Sequence, residues 1–381
     1  MRAERDIGLY IHVPLCRQRC HFCAFYLEIA TPARTEAFLS ALTRELSLYA
    51  RQDLLGRRAL QSIYFGGGTP TTIPARQLAG LLAQIRDLFP VSPDIEVTIE
   101  AHPATVTGSD LSMLAEAGFN RLSLGAESMA PGDFIPIGRP GTVTETEQAV
   151  DNARTAGFSN ISLDLMYGLP GQSLASWIRT VNSLITLNPT HISCYALTVE
   201  DHTRLAQDIA RGLVAAPDET LQNEMEDAAE TILGSAGFTR YEISNYARSG
   251  HTCRHNLLYW TNGEYLGLGP SAQSYVGGCR FGNVADLDIY TGRLQSDQLP
   301  IRERLTLSEE EQQRDALVFG LRLLNGVPNS VAAGDSGQRD LLAQLSAKGL
   351  IVNEGQRIRL TPLGRRFADS VAGEQIGRAH V

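Results

Sequence analysis

Three cysteines, Cys16, Cys20 and Cys23, stand at i, i+4 and i+7 in the stretch Cys16-Arg-Gln-Arg-Cys20-His-Phe-Cys23. Three thiols cannot all pair with one another in disulfides, and one compact loop can aim them at a single centre. Sulfur-rich donor sets favour zinc or iron–sulfur, and clusters of the 4Fe–4S type usually take four thiolates. Only three are local here. The fourth position is therefore either filled by a remote Cys or left as an open iron for a substrate. The remote candidates Cys194, Cys253 and Cys279 each stand alone, whereas a four-cysteine zinc site ordinarily draws paired ligands from two places. The residues favour a 4Fe–4S cluster with one open iron.

The elements that must position these thiols follow from periodicity. Leu9–Val13 is a short β-type run stopped by Pro14, so the cysteine loop leaves the end of a first strand. Thr35–Ala50 carries apolar residues at helical spacing. Further strands are expected at Ser62–Phe65, Ile95–Glu100, Arg121–Leu124, Ile161–Met166 and His191–Leu197. Helices are expected between them, closed by Gly118, Gly157 and Pro189. This βα alternation predicts a parallel sheet with helices outside, an α/β fold of partial, open (β/α)6 barrel type, since full closure takes about eight units. In such folds chemistry gathers at the carboxyl ends of the strands. The other candidate motifs sit there: Gly66-Gly-Gly-Thr-Pro70, Ile99-Glu-Ala-His-Pro103, Gly125-Ala-Glu-Ser128, Gly138-Arg139 and Asp164. Three successive glycines allow positive φ and close approach of backbone to a ligand. With no Gly-Lys-Ser/Thr following, they are not a P-loop.

A C-x-x-x-C-x-x-C loop after a first strand, with an aromatic residue (Phe22) before the third Cys, resembles the signature of the radical S-adenosylmethionine (SAM) enzymes. The wider sequence, from about Leu9 to Arg365, resembles the HemN/HemW branch of that superfamily and its HemW members most. The resemblance implies that Cys16, Cys20 and Cys23 hold a 4Fe–4S cluster whose open iron is chelated by SAM. It implies SAM contacts at Tyr10, Gly67, Gly68, Thr69, Glu100, Arg139 and Asp164. Glu100, Arg139 and Asp164 would surround a ligand bearing a carboxylate, an ammonium and a sulfonium. The chain departs from the family pattern at His102 for Asn, Glu127 for Gln, Gly141 for His and Gln273 for His. A carboxylate at Glu127 cannot donate the amide's hydrogen bond.

The segment His255-Asn-Leu-Leu-Tyr259-Trp260 matches the family's HNxxYW motif, linked there to haem. Imidazole is a good axial iron ligand and two large aromatics can stack on a porphyrin. His251 and Cys253 are neighbouring alternatives for the axial position; Cys194, inside an apolar β-run, reads as a buried thiol. The resemblance leaves three functions: a haem chaperone passing haem to a respiratory or other haem-acceptor protein, an oxygen-independent coproporphyrinogen III oxidase, or a radical SAM methyltransferase. The oxidase branch carries a fourth Cys where this chain has Phe25, and a longer arm before the first strand. Both differences favour the chaperone.

The chain divides into a barrel with the cluster loop (residues 1–235), a haem-motif segment packed on it (236–305) and a small winged-helix-like domain (306–374). In the last, Ser308 with Glu309-Glu-Glu311 forms a helix start, and the helix is expected to run to Leu324. The domain's second helix is apolar or neutral, as suits docking better than DNA. The Glu-rich helix over Pro217–Ala236 reads as a solvated acidic face. Residues 375–381 continue no pattern and read as a non-native tail. A net charge of -9 and the lack of a basic stripe argue against nucleic acid. Six cysteines without a framework suit a reducing compartment, and no apolar run approaches the ~20 residues of a membrane span. The short charged start, Met1–Asp6, leads into no long apolar segment and is not expected to be a signal peptide. A cytoplasmic protein, touching a membrane-bound acceptor at most peripherally, is expected.

Overall fold

The structure, a computed structural model, describes residues 7–332 and 336–372; the tail read at 375–381 lies outside them. In chain order the strands begin β1 (Ile7–Val13), β2 (Leu15–Cys16), β3 (Glu28–Ile29), β4 (Leu60–Gly67), β5 (Val91–Ala101), β6 (Arg121–Glu127), β7 (Asn160–Tyr167) and β8 (His191–Ala196). They continue as β9 (Thr239–Arg240), β10 (Asn245–Ala247), β11 (Glu264–Leu268), β12 (Gln273–Val276), β13 (Cys279–Asn283) and β14 (Ile301–Thr306). Apart from the short β2–β3 pair these form one open sheet, in the order β14-β13-β12-β11-β1-β4-β5-β6-β7-β8-β10-β9. From β11 through β8 every neighbouring pair is parallel. The expected partial barrel is therefore present, with β11 added as a seventh parallel strand. Residues 236–305 lie in the same sheet, extending it at both edges.

Helices cover the sheet: α1 (Pro32–Arg51), α2 (Ala75–Leu88), α3 (Gly108–Ala117), α4 (Val143–Thr155), α5 (Leu174–Thr186), α6 (Arg204–Ala210) and α7 (Glu219–Ser235). Their starts follow from capping chemistry. Thr31 caps α1 with Pro32 at its first position, and Thr107 with Asp110 makes a capping box at α3, just ahead of Leu111, where the apolar pattern begins. Apolar residues on one face of the strands, among them Leu9, Ile11, Ile63, Phe65, Val97, Leu122 and Leu163, form the main core. Two more helices, α8 (Arg254–Trp260) and α9 (Leu287–Gln295), flank the later strands.

The C-terminal region holds α10 (Glu309–Gly320), β15 (Val327–Pro328), α11 (Ser336–Ala347), β16 (Ile351–Glu354), β17 (Arg357–Leu360) and α12 (Pro362–Arg366). Its sheet runs β15-β17-β16, over a separate core that includes Leu317, Leu345, Ile351, Ile358 and Leu360. The α10 cap is as expected, a capping box of Ser308 and Glu311, but the helix stops at Gly320, not Leu324. A side chain at Gly320 would meet Val327, so the chain turns there to let β15 close on the helix. The acidic face of α7 is not simply solvated. Glu226 and Glu230 take the buried guanidinium of Arg240, at 2.5 and 2.6 Å, and Glu230 and Asp227 receive Arg365 and Arg366 of α12. That face seats the C-terminal region.

Candidate functional site

A cavity of about 1200 Å³ opens at the carboxyl ends of the parallel strands. Pockets for single small ligands run to about 300–1,000 Å³, so there is room here for more than one. It is lined by Cys16, Cys20 and Cys23, by Tyr10 and Phe22, by Gly67, Gly68 and Thr69, by Glu100, Glu127, Arg139 and Asp164, and by Tyr259 and Trp260. Residues spread over two hundred and fifty positions thus share one surface. His255 is the exception and does not line it.

The cysteine loop is anchored at both sides. Gly68 and Thr69 donate backbone N–H groups to Val13 and Leu15 carbonyls at 2.8 Å, and Cys16 Sγ lies 3.4 Å from Thr69 Oγ1. A Cβ at Gly68 would stand 2.7 Å from Leu15 O and 3.1 Å from Cys16 Sγ, so only glycine lets the loop lie this close. His21 N donates to Ile137 O, and Gly138 (φ 58°) leaves room for the His21 ring. Burial raises the Cys16 thiol above its ordinary range and pushes Cys20 up to about 11, with the Arg139 charge pulling Cys20 the other way. Among the described residues no three His, Cys, Asp or Glu side chains are grouped so that they could hold a single metal ion.

The polar ring comes from successive strand ends. Glu100, at the end of β5, accepts from Tyr64 Oη at 2.7 Å and from Gly67 N at 3.2 Å. Burial raises its carboxyl to about 7, with Asp164 adding to the rise. Ser123 Oγ donates to Asp164 at 3.3 Å, and burial raises that carboxyl too. Arg139 donates to Gly125 O and lies 3.5 Å from Glu127, whose own pKa is raised by burial against that pairing. Glu127 has φ 61°, a left-handed conformation uncommon for a non-glycine residue, so its carboxylate is turned toward Arg139 at some backbone strain. His102 bridges two strand-end loops, with its ring 3.0 Å from Pro140 O and 3.1 Å from Ala104 N.

His255 sits behind this wall at 1% exposure. Its Nδ1 pairs with Ser62 Oγ at 2.8 Å and its Nε2 with Tyr259 Oη at 2.9 Å. The ring is stacked against Tyr64 and Tyr10, at 5.2 and 6.1 Å, and burial lowers its pKa to about 3. As a neutral imidazole with both nitrogens engaged, it aims Tyr259. Cys253 is equally buried, beside Glu96, and Cys194 is a core thiol as expected.

The sequence reading missed several cavity residues: His12, Tyr195, Tyr265, Arg280 and Phe319. For His12 the signal was available, because it follows Tyr10 by two in a strand and period two puts both on one face; Tyr10 Oη lies 3.1 Å from its Nδ1. Arg280 and Phe319 come from elements whose placement depends on the tertiary fold.

Residues 10–184 match the Radical SAM superfamily and residues 307–367 the HemN C-terminal domain. The chain is 35% identical over 378 residues to Heme chaperone HemW of Mycobacterium tuberculosis, spanning 98% of this chain and 95% of that protein. It belongs to the HemW family of radical SAM proteins. Heme chaperone HemW of Bacillus subtilis is 33% identical, with 97% and 98% of the two chains covered. A relative from Bos taurus, Radical S-adenosyl methionine domain-containing protein 1, mitochondrial, is 31% identical over 96% and 86%. In fold, the chain resembles the coproporphyrinogen III oxidase HemN of Escherichia coli, with a TM-score of 0.86 at 23% identity over 99% and 91% of the two chains.

Membership of the superfamily implies a 4Fe–4S cluster and SAM. The residues present fit both. Three thiols share one loop facing the cavity, the Gly67–Gly68 cradle would be filled by any Cβ, and the adjoining ring supplies carboxylates and a guanidinium suited to a zwitterion.

Proposed function

We propose that this chain is a haem chaperone: it binds haem in the strand-end cavity and passes it to an acceptor haem protein. One observation carries the reading. The helix α8 presents Tyr259 and Trp260, the aromatic pair of the HNxxYW segment, to the same cavity that holds the three cysteines and the polar ring. A flat tetrapyrrole can lie against those rings. The names of the relatives from Mycobacterium tuberculosis and Bacillus subtilis support the same reading. Phe25, exposed at the cavity edge, stands where the oxidase branch has its extra Cys, which favours the chaperone over the decarboxylase.

In this reading Cys16, Cys20 and Cys23 would hold the cluster, which would supply electrons when reduced. Gly67, Gly68 and Thr69 let SAM approach the strand ends. Glu100 and Asp164 would meet its cationic groups and Arg139 would meet its carboxylate. Glu127, paired with Arg139, holds that guanidinium in place. Tyr259 and Trp260 carry the haem face, and His255 fixes the Tyr259 hydroxyl from behind; ligation by His255 itself would require that contact to open. Among the described residues no helix is long and apolar enough to cross a membrane. Haem would pass to its acceptor, a respiratory protein or another, from a cytoplasmic chaperone or one touching a membrane only peripherally.

The test is anaerobic. The cluster is reconstituted, haem is titrated and the Soret band followed for wild type and for Trp260→Ala, while coproporphyrinogen III is offered with SAM and reductant. Stoichiometric haem binding, weakened by the substitution and without decarboxylation, is expected. Decarboxylation without haem binding would overturn the reading in favour of the oxidase.

A further inference from the structure

The two ends of the cavity differ chemically. Its acids, Glu100, Glu127 and Asp164, come from β5, β6 and β7. On the other side of β1, toward β13, the lining is aromatic, with Tyr259, Trp260, Tyr265 and Phe319, and the charged residue among them is Arg280. β13 lies three strands from β1, which at about 4.8 Å per strand separates Arg280 from the β1 strand end by roughly 14 Å along the sheet.

Arg280 is 8% exposed. Its Nε donates to Asp315 at 2.8 Å and one terminal nitrogen to Asn262 at 2.8 Å. The Tyr275 and Phe319 rings lie 4.4 and 5.1 Å from its guanidinium carbon, and Tyr265 is also a hydrogen-bonding neighbour. Burying a guanidinium is costly unless it is paired, and Asp315 of α10 supplies the pairing. A guanidinium has five N–H donors in a planar fork that matches carboxylate geometry. Asp315 fixes the fork by its Nε edge. The arrangement holds a cation rigidly at the wall of an aromatic slot, apart from the opposite end, where Arg139 is already paired with Glu127.

We propose that Arg280 is the carboxylate anchor of this cavity, receiving a propionate of a flat tetrapyrrole whose ring lies against Tyr259 and Trp260. The proposal rests on the haem reading above and adds the end of the cavity used and the orientation of the ligand. It makes the carboxylates of the ligand, and not only its ring, a condition of binding.

The full chain is titrated anaerobically with haem and with haem dimethyl ester, which keeps the ring and iron but lacks both carboxylates. Wild type is expected to bind the ester about tenfold or more weakly, as loss of a charge-assisted hydrogen bond predicts. The double variant Arg280→Gln, Asp315→Asn removes both charges together and leaves neither buried alone. It is expected to bind haem only as tightly as it binds the ester. Equal affinity of wild type for haem and ester overturns the anchor and leaves the haem reading standing. Failure to bind either one overturns both.

Discussion

His255 is the residue where motif and position pull apart. The motif makes it an iron ligand; the structure gives it two hydrogen bonds, to Ser62 and Tyr259, between two tyrosine rings. Removing it leaves Ser62 and Tyr259 without their partner and a cavity behind the wall, so His255→Ala should cost about 3 kcal/mol of stability in urea unfolding. A loss under about 0.5 kcal/mol would refute this structural role for His255. Glu45 is a second buried titrating group. It accepts from Gly269 N at 2.8 Å, Asn283 Nδ2 at 2.7 Å and Tyr290 Oη at 2.6 Å, and so ties α1 to the turn that brings Ser271–Gln273 to the cavity. Burial raises its carboxyl to about 7. The folded state then binds the proton more tightly than the unfolded chain, so this group is without penalty below about pH 4.5 and costs stability as pH rises toward 7. At about 1.4 kcal/mol per unit the loss is about 3 kcal/mol. Glu45→Gln should be less stable than wild type at pH 5, because the amide cannot accept from all three donors. It should also lose less stability between pH 5 and pH 8. Parallel pH curves for the two proteins would refute the assignment.

At the scale of elements, the strand ends set the distance between the cysteine loop and the polar ring. Gly68 is the tightest point, since an added methyl group meets two carbonyls and Cys16 Sγ within 3.1 Å. Gly68→Ala should therefore push Cys16 outward and lower iron per chain after anaerobic reconstitution several-fold, while far-UV circular dichroism stays near wild type. Full iron loading would show that the loop can move without losing the cluster site. These strand-end features were readable in the sequence, because a loop after a strand and a run of glycines are local signals, and the βα alternation fixed their shared side of the sheet. Less was readable where the signal is not local. The helix α8 is one short turn system whose burial, not its periodicity, places Tyr259 outward and His255 inward. The acids of α7 follow the pattern of a solvated face, and only the approach of Arg240, Arg365 and Arg366 from distant elements turns that face into a seat. Likewise Arg280 lies in an unremarkable β-run, and its role depends on α10 delivering Asp315 and Phe319.

The whole molecule joins two large hydrophobic cores, and Phe319 of the C-terminal region lines the cavity beside Tyr259 and Trp260. The C-terminal core can fold around Leu317, Leu345 and Ile358, yet it reaches the barrel through Asp315 to Arg280, through Arg322 over the Trp260 ring at 4.6 Å, and through the Glu242–Leu323 bridge. The two tryptophans of the chain report on the two sides of this arrangement. Trp177 is fully buried in the barrel, its indole N–H donating to Met225 O at 2.7 Å, and Trp260 sits at the junction. In the variants Trp177→Phe and Trp260→Phe each remaining fluorophore follows one site. With the junction intact the two should lose their native emission at the same urea concentration, since neither core moves without the other. Asp315→Ala leaves the Arg280 guanidinium without its counter-ion and should cost about 3–5 kcal/mol. That loss falls on the junction. In the Asp315→Ala background the Trp260 signal should change at lower urea than the Trp177 signal, separating the C-terminal region from the barrel before the barrel unfolds. If the two midpoints fall together and remain coincident, the junction is part of a single cooperative unit and the cavity is walled by one folding body.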